Sequence, residues 1–341
     1  MINTTESLFA AAGLEAPLAR TVSEILVEAE LLGYDTHGLQ FIPAYVKGIE
    51  AGTTARNGEP DVLRDGGGTL LVDARRLPGQ WATVWTLEAA LKRLPEHGVV
   101  TAVLQRTENI SCLATYAKRA ADRGVLEIVA TSAPSGGVVA PAGGKEGRLS
   151  TNPLALGIPA DPHPILIDTS TASVSNRQIE RHRRAGEALV GSFLVDALGA
   201  PSDDPETFYG DPKGAIMPLG GTALGYKGFA FSLMVDAVTT SLAGMGRTSE
   251  ESVGSNAFLQ VIDPAAFGGE AAFRDEATVL GEICRTAAQV NAESPVRVPG
   301  DRAYACWADR MENGVPLHPE VPGLYGPVFA KYGIDPPQSM N

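Results

Sequence analysis

The chain has 341 residues, 44% of them hydrophobic and 20% charged, and a formal net charge of −13. That length exceeds one small core and predicts two or three lobes, while the composition excludes a disordered chain. The acidic balance offers a nucleic acid no basic face: the single basic cluster, Arg181-His182-Arg183-Arg184, reads as a solvated helix face or at most a phosphate contact.

Three cysteines (Cys112, Cys284 and Cys306) are odd in number and far apart, with no CxxC. They argue against a disulfide framework and a zinc site, and suit a reducing cytosol. No basic region precedes an apolar run near the start, so no signal peptide is expected. No apolar run reaches the ~20 residues of a membrane helix; Phe229 to Val238 comes nearest and Asp236 interrupts it. The expectation is a soluble, cytoplasmic protein.

Residues 1–60 read as helical. Thr4 or Thr5 can cap a first short helix. Leu18, Val22, Ile25, Leu26, Ala29 and Leu32 then recur at helical spacing, and Gly33 can end that helix in a left-handed conformation. The turn Asp35-Thr36-His37-Gly38 follows, with Gly38 expected to let the backbone bend beside His37. An imidazole there either fills the helix-turn-helix junction or, at an ordinary pKa near ~6.5, suits proton transfer. Pro43, Tyr45, Val46 and Ile49 lie on another short helix closed by Gly52.

From about residue 60 strands and helices alternate: Thr69–Val72, Gln80–Leu94, Val99–Leu104, Cys112–Arg123 and Leu126–Thr131. This pattern predicts an α/β layer. High Gly (38) and Pro (24) contents match a loop-rich middle, and Ala133 to Ser150 is a Gly- and Pro-rich loop able to cover a ligand. Thr151-Asn152-Pro153 leads into a strand at Leu154–Ile158. Pro164 to Asp168 is a second buried strand, and Thr169-Ser170-Thr171 after it offers amides and hydroxyls to an anion or ribose. Pro218-Leu219-Gly220-Gly221 and Gly225-Tyr226-Lys227-Gly228 flank a turn before an apolar helix, Phe229–Leu242. Ala257–Ile262 reads as a strand, and Ala271–Val290, Asp301–Arg310 and Leu324–Tyr332 as helices.

No G-x-G-x-x-G follows a strand; Gly244-Met245-Gly246 ends a helix instead, so a standard dinucleotide fold is unsupported. P-loop, H-E-x-x-H and G-x-S-x-G motifs are missing from the sequence, and no metal site is expected.

Taken in order, Asp35-Thr36-His37-Gly38 with Pro43 and Tyr45, Thr151-Asn152-Pro153, Asp168-Thr169-Ser170-Thr171, Pro218-Leu219-Gly220-Gly221, Tyr226-Lys227-Gly228 and Val298-Pro299-Gly300 resemble the malate/L-lactate dehydrogenase family, sulfolactate dehydrogenase-like type. That family includes ureidoglycolate dehydrogenases and cyclic-imine carboxylate reductases. The resemblance implies an α/β fold with a non-Rossmann NAD(P)-binding domain and a helical domain built from both termini. The corresponding parts are 1–60, a central cofactor-binding and dimerisation region 61–295, and a C-terminal helical part 296–341 packed on the N-terminal helices. It further implies a homodimer, NAD or NADP as cofactor, and hydride transfer to or from the carbonyl or imine carbon of a small acid. His37 would match the family's proton donor, with Thr36 in place of the usual Ser. Tyr45, Phe41 and Thr151 would line the substrate pocket. Asp168, Thr169 and Ser170 would sit against the cofactor, with Leu219 and Gly220 beside it.

Three positions depart from the family pattern. Phe41 stands where the family has an arginine, Asn109 where it has a second histidine, and Gln178 where it has Lys or Asp. Phenylalanine cannot pair with a carboxylate, and asparagine cannot give up a proton near neutral pH. Asn109 would then orient a carbonyl or imine nitrogen, and Arg177 or Arg181 is the candidate replacement for the arginine. Two alternatives accompany the oxidoreductase reading: a repurposed member with non-redox chemistry in a biosynthetic pathway, and a catalytically silent dimer that binds a metabolite or a partner protein.

Overall fold

The computed structural model describes residues 1–249, 253–291, 293–318 and 320–337. Three helices open the chain: α1 (Ile2–Ala11), α2 (Ala16–Leu31) and α3 (Ile42–Glu50), the last two joined through two 3-10 turns, Asp35–His37 and Leu39–Phe41. Strands β1 (Asp61–Asp65) and β2 (Thr69–Asp73) lead to α4 (Gly79–His97), β3 (Val99–Thr107), α5 (Leu113–Ala121) and β4 (Leu126–Ser132). Next come β5 (Pro153–Ile158), β6 (Ile165–Ser170), α6 (Asn176–Ala185), β7 (Leu194–Val195), β8 (Pro201–Ser202), α7 (Glu206–Tyr209) and β9 (Ala215–Ile216). The chain continues with α8 (Gly221–Asp236), β10 (Ser255–Ile262), α9 (Glu270–Arg285), α10 (Asp301–Asn313) and α11 (Glu320–Lys331).

Seven strands form one mixed sheet in the order β1-β2-β3-β10-β4-β5-β6. Only β2 and β3 run parallel; every other neighbouring pair is antiparallel. This is not the parallel sheet of a Rossmann fold. The two faces of the sheet bury different partners. Val100, Ala102 and Leu104 of β3 pack with residues of α2, α4 and α5, whereas Val103 of β3 packs with Phe258 of β10 and Val235 of α8. That double burial explains why β3 reads as a near-continuous apolar run. A second cluster joins α1, α2 and α3 to Val321, Tyr325 and Phe329 of α11. Strands β7, β8 and β9 form a small separate sheet.

Several local expectations change. The first helix starts at Ile2, so neither Thr4 nor Thr5 caps it; Thr5 lies inside the helix and its hydroxyl donates to the Met1 carbonyl (3.1 Å). Gly225 and Gly228 lie within α8, not beside a turn. A Cβ on Gly228 would stand 2.9 Å from the Leu219 Cα, so this glycine lets the helix lie against the turn that precedes it. Strand β1 escaped the reading because all five of its residues are exposed and carry no alternation. Helix α9 stops at Arg285, whose guanidinium grips Asp301 on α10 (3.0 and 2.7 Å). No helix among the described residues is long and apolar enough to cross a membrane.

Glu127 of β4 is fully buried, and neither carboxyl oxygen has a hydrogen-bond partner among the described residues. Desolvation pushes its pKa up to about 8. The folded state thus holds this proton more tightly than the unfolded state, whose carboxyl titrates near the ordinary 4.5. The stability from that proton is complete below pH ~4.5 and is lost as pH rises toward 8, at up to about 1.4 kcal/mol per pH unit. Urea unfolding of wild type and Glu127→Gln between pH 5 and 8 should show the variant gaining relative stability with each pH unit; parallel pH dependences would contradict this.

Candidate active site

The His37 turn is held from below by α2. Glu30 points from that helix to accept the Leu39 N–H (2.8 Å), and the Arg310 guanidinium donates to the Glu30 carbonyl. Burial raises the Glu30 carboxyl to about 7, against the lowering effect of the Leu39 N–H. Gly33 ends α2 at φ +82°, as expected. Gly38 serves another purpose than the predicted one. Its φ is −105°, but a Cβ there would lie 2.7 Å from the Glu30 Cδ, so glycine is needed for room. From the other side, the Ser111 hydroxyl donates to the His37 carbonyl, tying the turn to the loop after β3.

His37 Nδ1 lies 2.9 Å from the Thr36 hydroxyl, and Nε2 has no protein partner among the described residues. A hydroxyl both donates and accepts, so Thr36 supports either imidazole tautomer. The ring does not keep its ordinary basicity: desolvation first, and the Arg177 charge second, lower the pKa to about 4, with Asp35 opposing. His37 is therefore neutral at pH 7.

A cavity of about 320 Å³ opens beside it. Of the expected site residues, Thr36, His37, Asn109, Thr151, Asp168, Thr169 and Ser170 all line it. Much of the remaining wall consists of serine and threonine, and no lysine or arginine contributes. Asn109 Oδ1 accepts from Tyr45 Oη (2.6 Å) and from the Ser111 N–H (3.0 Å). A backbone N–H can meet only the oxygen, so the amide orientation is fixed and its two N–H donors stay free of protein partners. Gln80, which the sequence reading missed, donates to Tyr45 Oη (2.8 Å) and to the Asn109 carbonyl (3.1 Å).

Asp168 also borders the cavity, but its Oδ2 accepts the Ala114 N–H at the start of α5 (2.8 Å). Desolvation still raises it to about 6. Phe41 and Tyr45 do not line this cavity. They stack on each other (5.3 Å between centroids) and line a neighbouring, largely apolar cavity of about 420 Å³, which shares Asn109. Leu219 and Gly220 line neither. The Leu219 N–H donates to the Thr171 carbonyl (2.9 Å), one residue beyond Ser170, and Gly220 precedes α8 at φ +98°. Their neighbours Pro218 and Gly221 border a third cavity of about 460 Å³ together with Gly143, Gly144 and Lys145.

The chain matches the model of the malate/L-lactate dehydrogenase family over residues 1–322. The chain belongs to that family. It is 28% identical to the malate dehydrogenase of Pyrococcus horikoshii (93% of this chain, 89% of that protein) and 29% identical to the Δ1-pyrroline-2-carboxylate reductase of Ancylobacter novellus (89% of each). Its fold superposes on the malate dehydrogenase structure from Entamoeba histolytica with a TM-score of 0.90 at 23% identity, covering 98% of this chain and 97% of that one. As a member of the malate/L-lactate dehydrogenase family the chain is an enzyme of the oxidoreductase class, with the mixed α/β, non-Rossmann architecture that its resemblance implied.

Two signals for this site were present in the sequence and missed. Glu30 falls four residues after Leu26 on the apolar stripe of α2, where a carboxylate requires a partner. Ser111 follows Asn109 in a segment without helical or strand periodicity, and its φ of +64° marks a constrained bend. Gly38→Ala should displace the Glu30 carboxylate and break its bond to Leu39. A loss of about 1–3 kcal/mol is expected, read as a lower urea midpoint together with reduced turnover. An unchanged midpoint would show that the turn has slack.

Proposed function

We propose that this enzyme is NAD(P)-dependent and moves hydride to or from the carbonyl or imine carbon of a small 2-oxo acid, 2-hydroxy acid or cyclic imine carboxylate. The observation that carries this reading is the shared cavity of His37, with Nε2 open, and Asn109, with its amide donors free. The malate and pyrroline-2-carboxylate named for the relatives supply the substrate class.

The residues present fit a nicotinamide dinucleotide. At the third cavity, α8 directs its positive end outward. The Thr222 and Ala223 N–H groups there have no backbone acceptor among the described residues, and Lys145 stands nearby. Asp168, Thr169 and Ser170 border the His37 cavity, and Leu219 is bonded to the strand extension that follows them. Thr169, Ser170 and the α8 amides would hold the cofactor, which when bound supplies or accepts the hydride.

The rest of the step belongs to the chain. Asn109 donates a hydrogen bond to the substrate's carbonyl oxygen and orients it. In reduction the imidazolium form of His37 gives its Nε2 proton to the developing alkoxide oxygen or amine nitrogen and becomes neutral; in oxidation neutral Nε2 takes that proton. Nδ1 keeps its own proton throughout, and the Thr36 hydroxyl accepts it in both states.

Self-association completes the reading. Helix α8 exposes Leu224, Tyr226, Phe231, Leu233 and Met234, and α9 exposes Val279, Leu280 and Ile283. An apolar surface of this kind suits burial against a second copy. The exposed thiol of Cys284 is consistent with a reducing, cytoplasmic setting.

Fluorescence titration with NADH and NADPH should show saturable binding of at least one; binding of neither removes the proposal. His37→Asn should lower kcat/KM by about 10²–10⁴ with cofactor affinity retained. Oxidation of a 2-hydroxy acid requires neutral His37. Its kcat/KM should therefore be level above pH ~6 and fall as pH drops through about 4; a fall centred near 6.5 would place the imidazole outside the desolvated site.

A further inference from the structure

We infer that Arg177, laid against Phe41 at the start of α6, is the side chain that receives the carboxylate of the substrate. This rests on the reading above, in which the substrates are acids. The cavity beside His37 is lined by hydroxyls and amides and has no cation in its wall. A carboxylate bound there needs a guanidinium or ammonium group from just outside.

Four arginines of α6 compete for that role, and their partners separate them. Arg183 pairs with Glu206 (2.8 Å). Arg181 pairs with Asp35 (3.3 Å), beside the His37 turn, and Arg184 pairs with Glu180. Arg177 shares Glu180 through one nitrogen, Nη1 (2.9 Å). Arg177 therefore spends a single nitrogen on a carboxylate that Arg184 also holds.

Geometry directs the Arg177 guanidinium to the site. The Arg177 guanidinium carbon lies 4.6 Å from the centroid of the Phe41 ring, and that ring is 5.9 Å from the imidazole of His37. A guanidinium held over a ring keeps edge donors for a planar anion, and Glu180 occupies only Nη1. Ser175, which caps α6 by accepting the Gln178 N–H (3.2 Å), lines the His37 cavity two residues before Arg177. The His37 imidazole senses the Arg177 charge directly. Phe41 is then the platform that holds the arginine flat: the charge missing from the turn is delivered from another helix.

Arg177→Met keeps an apolar contact on Phe41 and removes the fork. With a 2-oxo acid as substrate, KM should rise about 100-fold while kcat changes less than threefold, and the KM of the matching methyl ester should not move. Phe41→Leu should show the same pattern more weakly. An equal rise for acid and ester, or no rise for the acid, overturns the assignment. Calorimetry with oxamate, which has the carboxylate but no hydride-accepting carbon, tests the residue apart from the redox reading. Wild type should bind oxamate and Arg177→Met should bind it at least 10-fold more weakly. Equal binding, or no binding to wild type, counts against Arg177 whatever the hydride assay gives. Failure of hydride transfer alone, with oxamate binding lost in the variant, overturns the function and keeps the anchor.

Discussion

The buried bond from the Leu39 N–H to the Glu30 carboxylate is the constraint on which the candidate active site depends. A carboxylate placed on the apolar stripe of a helix is unfavourable unless its oxygens are met. Here one oxygen is met by an amide of the turn that carries His37, so the helix cannot bury its face without fixing that turn. Gly38 supplies the space this requires, and Ser111 fastens the opposite side of the turn to the loop after β3. The helical layer and the sheet therefore meet at one imidazole. Its position is set by two elements that fold far apart in sequence.

Desolvation then decides what each group can do. It lowers the basicity of His37 and raises the acidic groups Glu30, Asp168 and Glu127, so these buried or partly buried groups are all biased toward their neutral forms. Asp168 ties one carboxyl oxygen, Oδ2, to the first turn of α5. Serine and threonine fill much of the remaining lining because hydroxyls satisfy polar ligands at a small desolvation cost. A charged ligand must accordingly find its counter-charges outside this lining, the part proposed for Arg177.

The fold was legible wherever side chains alternate or recur against a packed neighbour. Leu18 to Leu32 gave α2 its register, and the apolar runs of β3, β4 and β10 marked the central strands. It was illegible where burial does not discriminate, as in the wholly exposed β1, or where glycine suits close packing as well as turning, as at Gly228. The membership of the cavity was legible in part. Seven of the eleven expected site residues line it, because polar residues clustered at helix and strand ends have no core to enter. Phe41, Tyr45, Leu219 and Gly220 lie beside it, and their places depend on how three separate segments cross. Glu30, Gln80 and Ser111 act through partners between 9 and 74 residues away; a local pattern can mark such a residue but cannot name its partner.

Phe41 illustrates the limit most clearly. Judged at its own position, it removes a cation from a turn that otherwise looks equipped for acid chemistry. The ring nevertheless sits between His37 and a guanidinium contributed by a helix some 136 residues later, at centroid separations of 5.9 and 4.6 Å. An electrostatic requirement is a condition on space: it asks that a charge stand at a given distance and says nothing of which residue number carries it. An aromatic face can meet such a condition indirectly, because it attracts a guanidinium and restrains its tilt without consuming its hydrogen-bond donors. Asn109 follows the same logic. It cannot titrate, but with its oxygen pinned by Tyr45 and Ser111 it offers fixed donors whose direction does not change with pH. In the proposed step the transferred proton travels through His37, and its neighbours supply orientation and field.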